Sequence, residues 1–128
     1  MSMACCYARA RLAMQAPLVT VETHISAGLP KFTLVGLPET AVKESKERVR
    51  SAIINSNFKF PNKRITINLA PADLPKEGAR FDLAIAVSIL VATRQIKVDS
   101  LESYEFIAEL ALSGELRQVP GMLASARQ

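Results

Sequence analysis

A chain of 128 residues has the length of one domain with a single core, and 49% apolar with 22% charged residues is ordinary for a globular protein. Two adjacent cysteines, Cys5 and Cys6, exclude a disulfide framework, Arg9 and Arg11 interrupt any secretory hydrophobic region, and the apolar run at 83–92 is too short to cross a bilayer, so the reading is a reduced, cytoplasmic protein. The net charge of +4 is modest but polarised: positions 43–64 hold seven basic residues against two acidic, and positions 97–115 hold one against five.

Residues 4–13 and 18–25 are predicted strands around a turn at Gln15-Ala16-Pro17. In the second strand Val19, Val21, Thr23 and Ile25 alternate with Thr20, Glu22 and His24, the period of a sheet with one wet face. Residues 32–35 form a third strand ended by Gly36, and three strands without intervening helices suggest an antiparallel meander. A helix follows over 39–55, with Pro38 and Glu39 suited to its first turn. Val42, Val49, Ala52 and Ile53 share one face, leaving Lys43, Lys46, Glu47 and Arg50 on the other. Residues 64–69 are the fourth strand. A second helix over 82–93 is apolar nearly all round and belongs in the middle of the domain, with Leu83, Ile85, Ile89 and Leu90 in the core. Residues 104–108, 111–112 and 116–119 are further strand candidates, and a helix begins at 120–127, where the sequence stops as a fragment of something longer would. The order of elements is α+β.

Metal binding has little support, because His24 is the sole histidine and has no partner at ligand spacing. None of the five glycines opens a phosphate-cradling Gly-x4-Gly-Lys run, so the chain carries no nucleotide loop of its own. The basic stretch is the strongest binding signal: Lys43, Lys46 and Arg50 sit three and four residues apart on one helix face, and Lys63 and Arg64 open the next strand. The plain alternative is a solvated face on which Glu44 and Glu47 offset the lysines. No aromatic residue is interleaved on that helix face, which points to phosphate contacts without base stacking. The loop Pro75-Lys76-Glu77-Gly78-Ala79-Arg80-Phe81-Asp82 leads into the second helix, where Asp82 is placed to cap the helix N-terminus.

That loop, followed by Ser113-Gly114-Glu115-Leu116, resembles the proteolytic domain of the Lon family, in which a serine attacks and a lysine serves as its base. On the matching positions this sequence has Arg80 for the serine and Leu123 for the lysine, so neither group of the dyad is present. A longer resemblance runs through Val21-Glu22, His24-Ile25-Ser26, Gly28-Leu29-Pro30 and Val35-Gly36-Leu37-Pro38-Glu39-Thr40-Ala41-Val42-Lys43-Glu44. It continues through Arg48-Val49-Arg50-Ser51-Ala52-Ile53 and Asn68-Leu69-Ala70-Pro71-Ala72-Asp73-Leu74-Pro75-Lys76-Glu77-Gly78. Together these are similar to the N-terminal domain of the ComM/YifB family, the magnesium chelatase-like AAA+ ATPases. Ala79 departs from the family's usual second glycine, and Cys5, Cys6 and Lys31 are individual to this chain.

The resemblance implies an α+β fold of the ribosomal protein S5 domain 2-like, Lon-protease-like type over residues 1–128, with a mixed sheet packed by helices. It implies a hexameric, ATP-dependent DNA helicase that promotes branch migration in natural transformation. In such a protein this domain is non-catalytic and contributes ring assembly and contacts to single-stranded or branched DNA. ATP and Mg then belong to an AAA+ module outside this chain, and the domain itself has no cofactor. Lys43, Lys46, Arg50, Lys63 and Arg64 are the DNA-binding candidates, while Lys76, Glu77, Gly78, Arg80 and Asp82 form a family-type loop without an assigned role. Two alternatives stand beside this reading: a subunit of a magnesium chelatase-related ATPase, and a Lon-type serine protease. The last has a direct test. Incubation with a serine-reactive phosphonate is expected to leave the mass of the protein unchanged, and a stoichiometric adduct on any serine would restore the protease reading.

Overall fold

The computed structural model describes residues 2–11, 15–71 and 78–119. In chain order the elements are β1 (Ser2–Arg9), β2 (Leu18–Ser26), β3 (Lys31–Val35), α1 (Glu39–Asn55), β4 (Arg64–Ala70), a 3-10 turn (Gly78–Phe81), α2 (Asp82–Ala92), a second 3-10 turn (Leu101–Ser103), β5 (Glu109–Leu110) and β6 (Leu116–Arg117). The bounds of α1 match the sequence pattern residue for residue. The helix expected at 120–127 lies outside the described residues.

Strand β2 shows why the sheet forms as it does. Its alternation buries Val19, Val21, Thr23 and Ile25 and leaves Glu22 exposed with Thr20, His24 and Ser26 half-buried. Strand β4 repeats the pattern with Ile65, Ile67 and Leu69 inward. The four long strands order as β1-β2-β4-β3, with β1 and β4 both antiparallel to β2. Strand β3 pairs with β4 in parallel, Phe32 opposite Ile65 and Leu34 opposite Ile67. The antiparallel meander expected from the sequence is therefore wrong. Helix α1 carries the chain back along the sheet after β3, so the next strand runs the same way as β3 and slots between it and β2. Gly36 makes the exit from β3: its φ of +114° favours glycine, and an added Cβ would stand 3.0 Å from the Leu69 carbonyl oxygen.

Both helices pack on the inward face of this mixed sheet, α2 against β1 and β2, α1 against α2 and β3. The α+β class with a mixed sheet packed by helices agrees with the expected fold. Helix α2 is the centre of the core. Ala84, Ile85 and Ile89 have no exposed surface, and Ser88 satisfies its hydroxyl by a 2.6 Å hydrogen bond with Thr23 of β2 and by donating to the Ile85 carbonyl. Leu83, expected in the core, is half-buried, whereas Leu90, expected there too, is buried in it.

The tail differs most from expectation. Residues 104–108 do not form a strand. They pass along the edge of β1, making one parallel bridge between Tyr7 and Glu105 and a hydrogen bond from the Phe106 amide to the Tyr7 carbonyl at 2.9 Å. The Arg9 guanidinium grips Glu105 through Nε at 2.9 Å and Nη2 at 2.6 Å, which fixes that edge. Residues 111–112 belong to the connection between β5 and β6, not to a strand.

Replacing Ile89 with alanine is expected to cost about 2–5 kcal/mol in a urea melt, the range for emptying a packed aliphatic site. Leu112→Ala, at a position 56% exposed, is expected to stay within about 0.5 kcal/mol of the parent.

Candidate nucleic-acid interface

Helix α1 has two working sides. Its inward stripe runs Val42, Ser45, Val49, Ala52 and Ile53, and Ser45 is a polar residue buried among apolar ones. At about 100° per residue, Lys43, Lys46 and Arg50 fall within an arc of about 60° on the flank of that stripe. What sets the rotation of the helix is Asp82, the first residue of α2, with no exposed surface.

Asp82 does not cap α2. The capping position is Phe81, with no side-chain cap, and the Asp82 carboxylate turns toward α1 instead. Arg48 donates to it through Nε at 2.6 Å and Nη2 at 3.3 Å, Ser45 donates its hydroxyl at 3.0 Å, and the Leu110 amide donates at 3.1 Å. Burial pushes the Asp82 carboxyl up from its ordinary range, against the opposing pull of Arg48, the Leu110 amide and Ser45. The same pair raises the Arg48 guanidinium, chiefly through its hydrogen bond to Asp82. Sequence reasoning missed Ser45 and Arg48. The available signal was a serine inside an apolar stripe, which has to find a buried polar partner.

On the basic flank a cleft of about 380 Å³ opens between α1, the start of β3 and the segment before β4. Lys46 and Arg50 line it from α1, Lys31 from β3 and Lys63 from the approach to β4, with Phe32 and Phe60 on its wall. A neighbouring cleft of about 470 Å³ shares Lys31, Phe32 and Lys46 and adds Lys43, with Glu39 at its end. Of the expected DNA-binding residues, the structure thus gathers Lys43, Lys46, Arg50 and Lys63 along two adjoining clefts. Arg64 is not a lining residue of either; it starts β4 at an exposed position beside Ser26 and Lys31 in the ladder. Lys31 joins the cluster through the parallel pairing of β3, which sequence reasoning did not foresee.

Among the described residues the ion pairs are Arg9–Glu105, Arg48–Asp82, Lys97–Asp99 and Arg117–Glu109. Glu44 and Glu47 are thus in no ion pair with the cleft lysines among the described residues. The expectation that the helix face has no interleaved aromatic residue holds. From outside that face, β3 and the loop after α1 bring Phe32 and Phe60 into the cleft, stacked with centroids 6.4 Å apart and planes 28° from parallel. Gln95 holds that loop in place, since its side-chain amide accepts from the Lys59 amide and donates to the Lys59 carbonyl, both at 2.7 Å.

The other flagged residues fall elsewhere. Lys76, Glu77 and Leu123 lie outside the described residues. Gly78 approaches α1 closely, a Cβ there meeting Ala41 at 3.3 Å and Leu37 at 3.4 Å. Arg80 is 1% exposed and donates through Nε to the Arg9 carbonyl at 2.8 Å. His24 sits on the outward sheet face with its Nε2 buried and unbonded among the described residues, which hold no group of three or more metal-ligating side chains. Burial and the adjacent Cys5 push the Cys6 thiol up to about 12, far from a reactive thiolate. Among the described residues no helix is long and apolar enough to cross a membrane.

Comparison with known proteins now bears on this geometry. The family model for subunit ChlI of Mg-chelatase matches residues 21–128. The chain belongs to the ChlI family. It is 60% identical over its whole length to the YifB protein of Salmonella typhimurium and 58% identical, again over its whole length, to YifB of Escherichia coli. It is 61% identical over 96% of its length to the competence protein ComM of Haemophilus influenzae. The chain spans about a quarter of the length of these relatives, covering 25%, 25% and 24% of each. The match to the ChlI model takes in β3, α1 and β4, so both clefts are built from family-matched sequence.

In this chain the two helices and β5 meet at the Asp82 contacts, and removing Arg48 tests them. Arg48→Ala leaves a carboxylate without exposure facing only Ser45 and the Leu110 amide, and the expected cost is about 3–5 kcal/mol at neutral pH. The folded-state carboxyl, already raised by burial, then rises further above its unfolded value of about 3.9. A raised acid gains stability as pH falls through its folded pKa, so the deficit of Arg48→Ala against the parent is expected to narrow from pH 7 down toward that unfolded value. Paired urea melts across that interval read the narrowing directly.

Proposed function

We propose that this chain is the N-terminal, non-catalytic domain of a cytoplasmic, DNA-directed ATPase of the ComM and YifB kind, and that its basic clefts hold DNA phosphates. The observation behind this reading is the convergence of Lys31, Lys43, Lys46, Arg50 and Lys63 from three parts of the fold, with no carboxylate in ion-pair contact among the described residues. Phosphate is the ligand such a surface favours, because each neutralised phosphate releases counterions. The name of the Haemophilus relative, a competence protein, fits a role on DNA.

In this reading ATP and Mg are held outside this chain, whose sequence has no Gly-x4-Gly-Lys run. Nucleotide chemistry in this proposal belongs to the remaining three quarters of the protein. A ring of six copies is part of the same reading, since a few weak phosphate contacts per domain gain strength when repeated around one DNA strand. Branch migration and helicase action are then the work of the motor, with this domain holding or guiding the DNA. A chelatase-subunit role has the family's name in its favour, and a metal-transfer surface has no counterpart among the described side chains.

The full-length protein with Lys43, Lys46 and Arg50 all changed to alanine should bind every DNA sequence more weakly and to a similar degree. Its slope of log affinity against log salt should be shallower by about 0.7–0.9 for each phosphate no longer neutralised, while the oligomer stays intact. Anisotropy titrations at several salt concentrations measure both quantities. An unchanged affinity and slope would return these residues to a solvated helix face.

A further inference from the structure

Phosphate contacts explain the cations of the first cleft but not its rings. A surface that only gathers duplex phosphates has no need of an aromatic wall, because paired bases are stacked inside the helix and offer their edges in the grooves. Here the wall is built. Phe32 and Phe60 stack on each other, and both are half-buried, so each ring is anchored in the domain yet keeps surface open to the cleft. The Gln95 amide pairs with both backbone groups of Lys59, the residue before Phe60, and so fixes the ring's backbone to the end of α2. Lys46 and Arg50 stand on one side and Lys31 and Lys63 enter from the sheet end.

We propose that this cleft binds a single strand of nucleic acid, with one unpaired base laid against the Phe32–Phe60 stack and the flanking phosphates on Lys46, Arg50 and Lys63. This rests on the phosphate-binding reading above and adds a subsite to it: an aromatic face for an unpaired base, which a closed duplex cannot use. Stacking on an aromatic ring is indifferent to base identity, since every base has a π face, so the cleft recognises strandedness and not sequence. A volume of about 380 Å³ has room for a group of small-ligand size such as one base.

The test separates stacking from charge by removing bases while keeping phosphates. Full-length protein is titrated with a fluorescent oligothymidylate and with an abasic deoxyribose-phosphate strand of the same length, at one salt concentration. The wild type should prefer the oligothymidylate by about five-fold or more, the lower end of what stacking one base on an aromatic side chain contributes. Phe60→Leu should lose that preference by a similar factor with its salt slope unchanged, and Phe60→Trp should keep it. Equal binding of the two strands by the wild type overturns the proposal, as does a leucine variant with the wild-type preference. The wild-type comparison and the tryptophan variant still decide the matter if the leucine variant fails to fold, since they keep the ring. Thymidine monophosphate displacing the oligothymidylate at equal concentration would assign the cleft to a free nucleotide and overturn the strand. The underlying reading fails in a different way: Lys46→Ala with Arg50→Ala would leave affinity for both strands and the salt slope untouched. A weaker, shallower response to that charge variant with no effect of Phe60→Leu sinks only the stacking.

Discussion

Asp82 carries a charge into a place with no solvent exposure, and the fold is arranged around making that tolerable. An ion taken out of water costs several kcal/mol even after relaxation, and the loss is recovered only where geometry is good and the remaining lone pairs are satisfied. Arg48, Ser45 and the Leu110 amide supply that geometry from α1 and from β5. Three elements distant in sequence therefore meet at one carboxylate. The consequence reaches the surface. Ser45 and Arg48 can both reach Asp82 only if α1 sits in one rotation about its axis, and in that rotation Lys46 and Arg50 face the cleft, with Lys43 beside them. A buried ion pair on one flank of the helix thus determines which charges the other flank presents.

The cleft owes its character to pairing across the sheet. Lys31 and Phe32 open β3, and only the parallel register of β3 on β4 brings them beside Lys63 and Ile65. Had the early strands run as an antiparallel meander, β3 would lie against β2 and its first residues would be elsewhere. The inward position of Phe32 opposite Ile65 also explains why its ring is anchored, while Lys31, one residue earlier, lines the cleft from the start of the strand. The positive surface and the aromatic wall are two results of one topological choice.

Local patterns were legible and non-local ones were not. The 3.6-residue stripe and the first-turn residues gave α1 its bounds, and strict alternation gave the faces of β2 and β4, because each signal is complete within one element. Strand direction is decided by what the intervening helix does to the path of the chain, and no window of sequence contains that. Residues 104–108 have the composition of a strand, yet β1 offers them an edge already tied by the Arg9–Glu105 grip, and a single bridge results. Asp82 before an apolar run is the usual mark of a cap. Its side chain went to Arg48 because an arginine with two donors competes better for a buried carboxylate than two backbone amides at a helix start. The phenyl rings escaped notice for the same reason as Lys31: each lies on a different element from the basic helix face.

The loop that looks like a protease's is best understood through three consecutive side chains. Arg80, Phe81 and Asp82 are all buried, and each goes to a different place: Arg80 to the carbonyl of Arg9 at the end of β1, Phe81 into the core, Asp82 to α1 and β5. A nucleophile has to meet its substrate, whereas the side chain on the matching position here is turned inward and 1% exposed. Restoring a serine at Arg80 would put a small hydroxyl where a large side chain fills the interior, leaving the Arg9 carbonyl without that donor and a cavity beside it. The stretch from Gly78 to Asp82 thus ties the two helices, the end of β1 and β5 together, with Gly78 set close against Ala41 and the side chains of Arg80, Phe81 and Asp82 all turned inward.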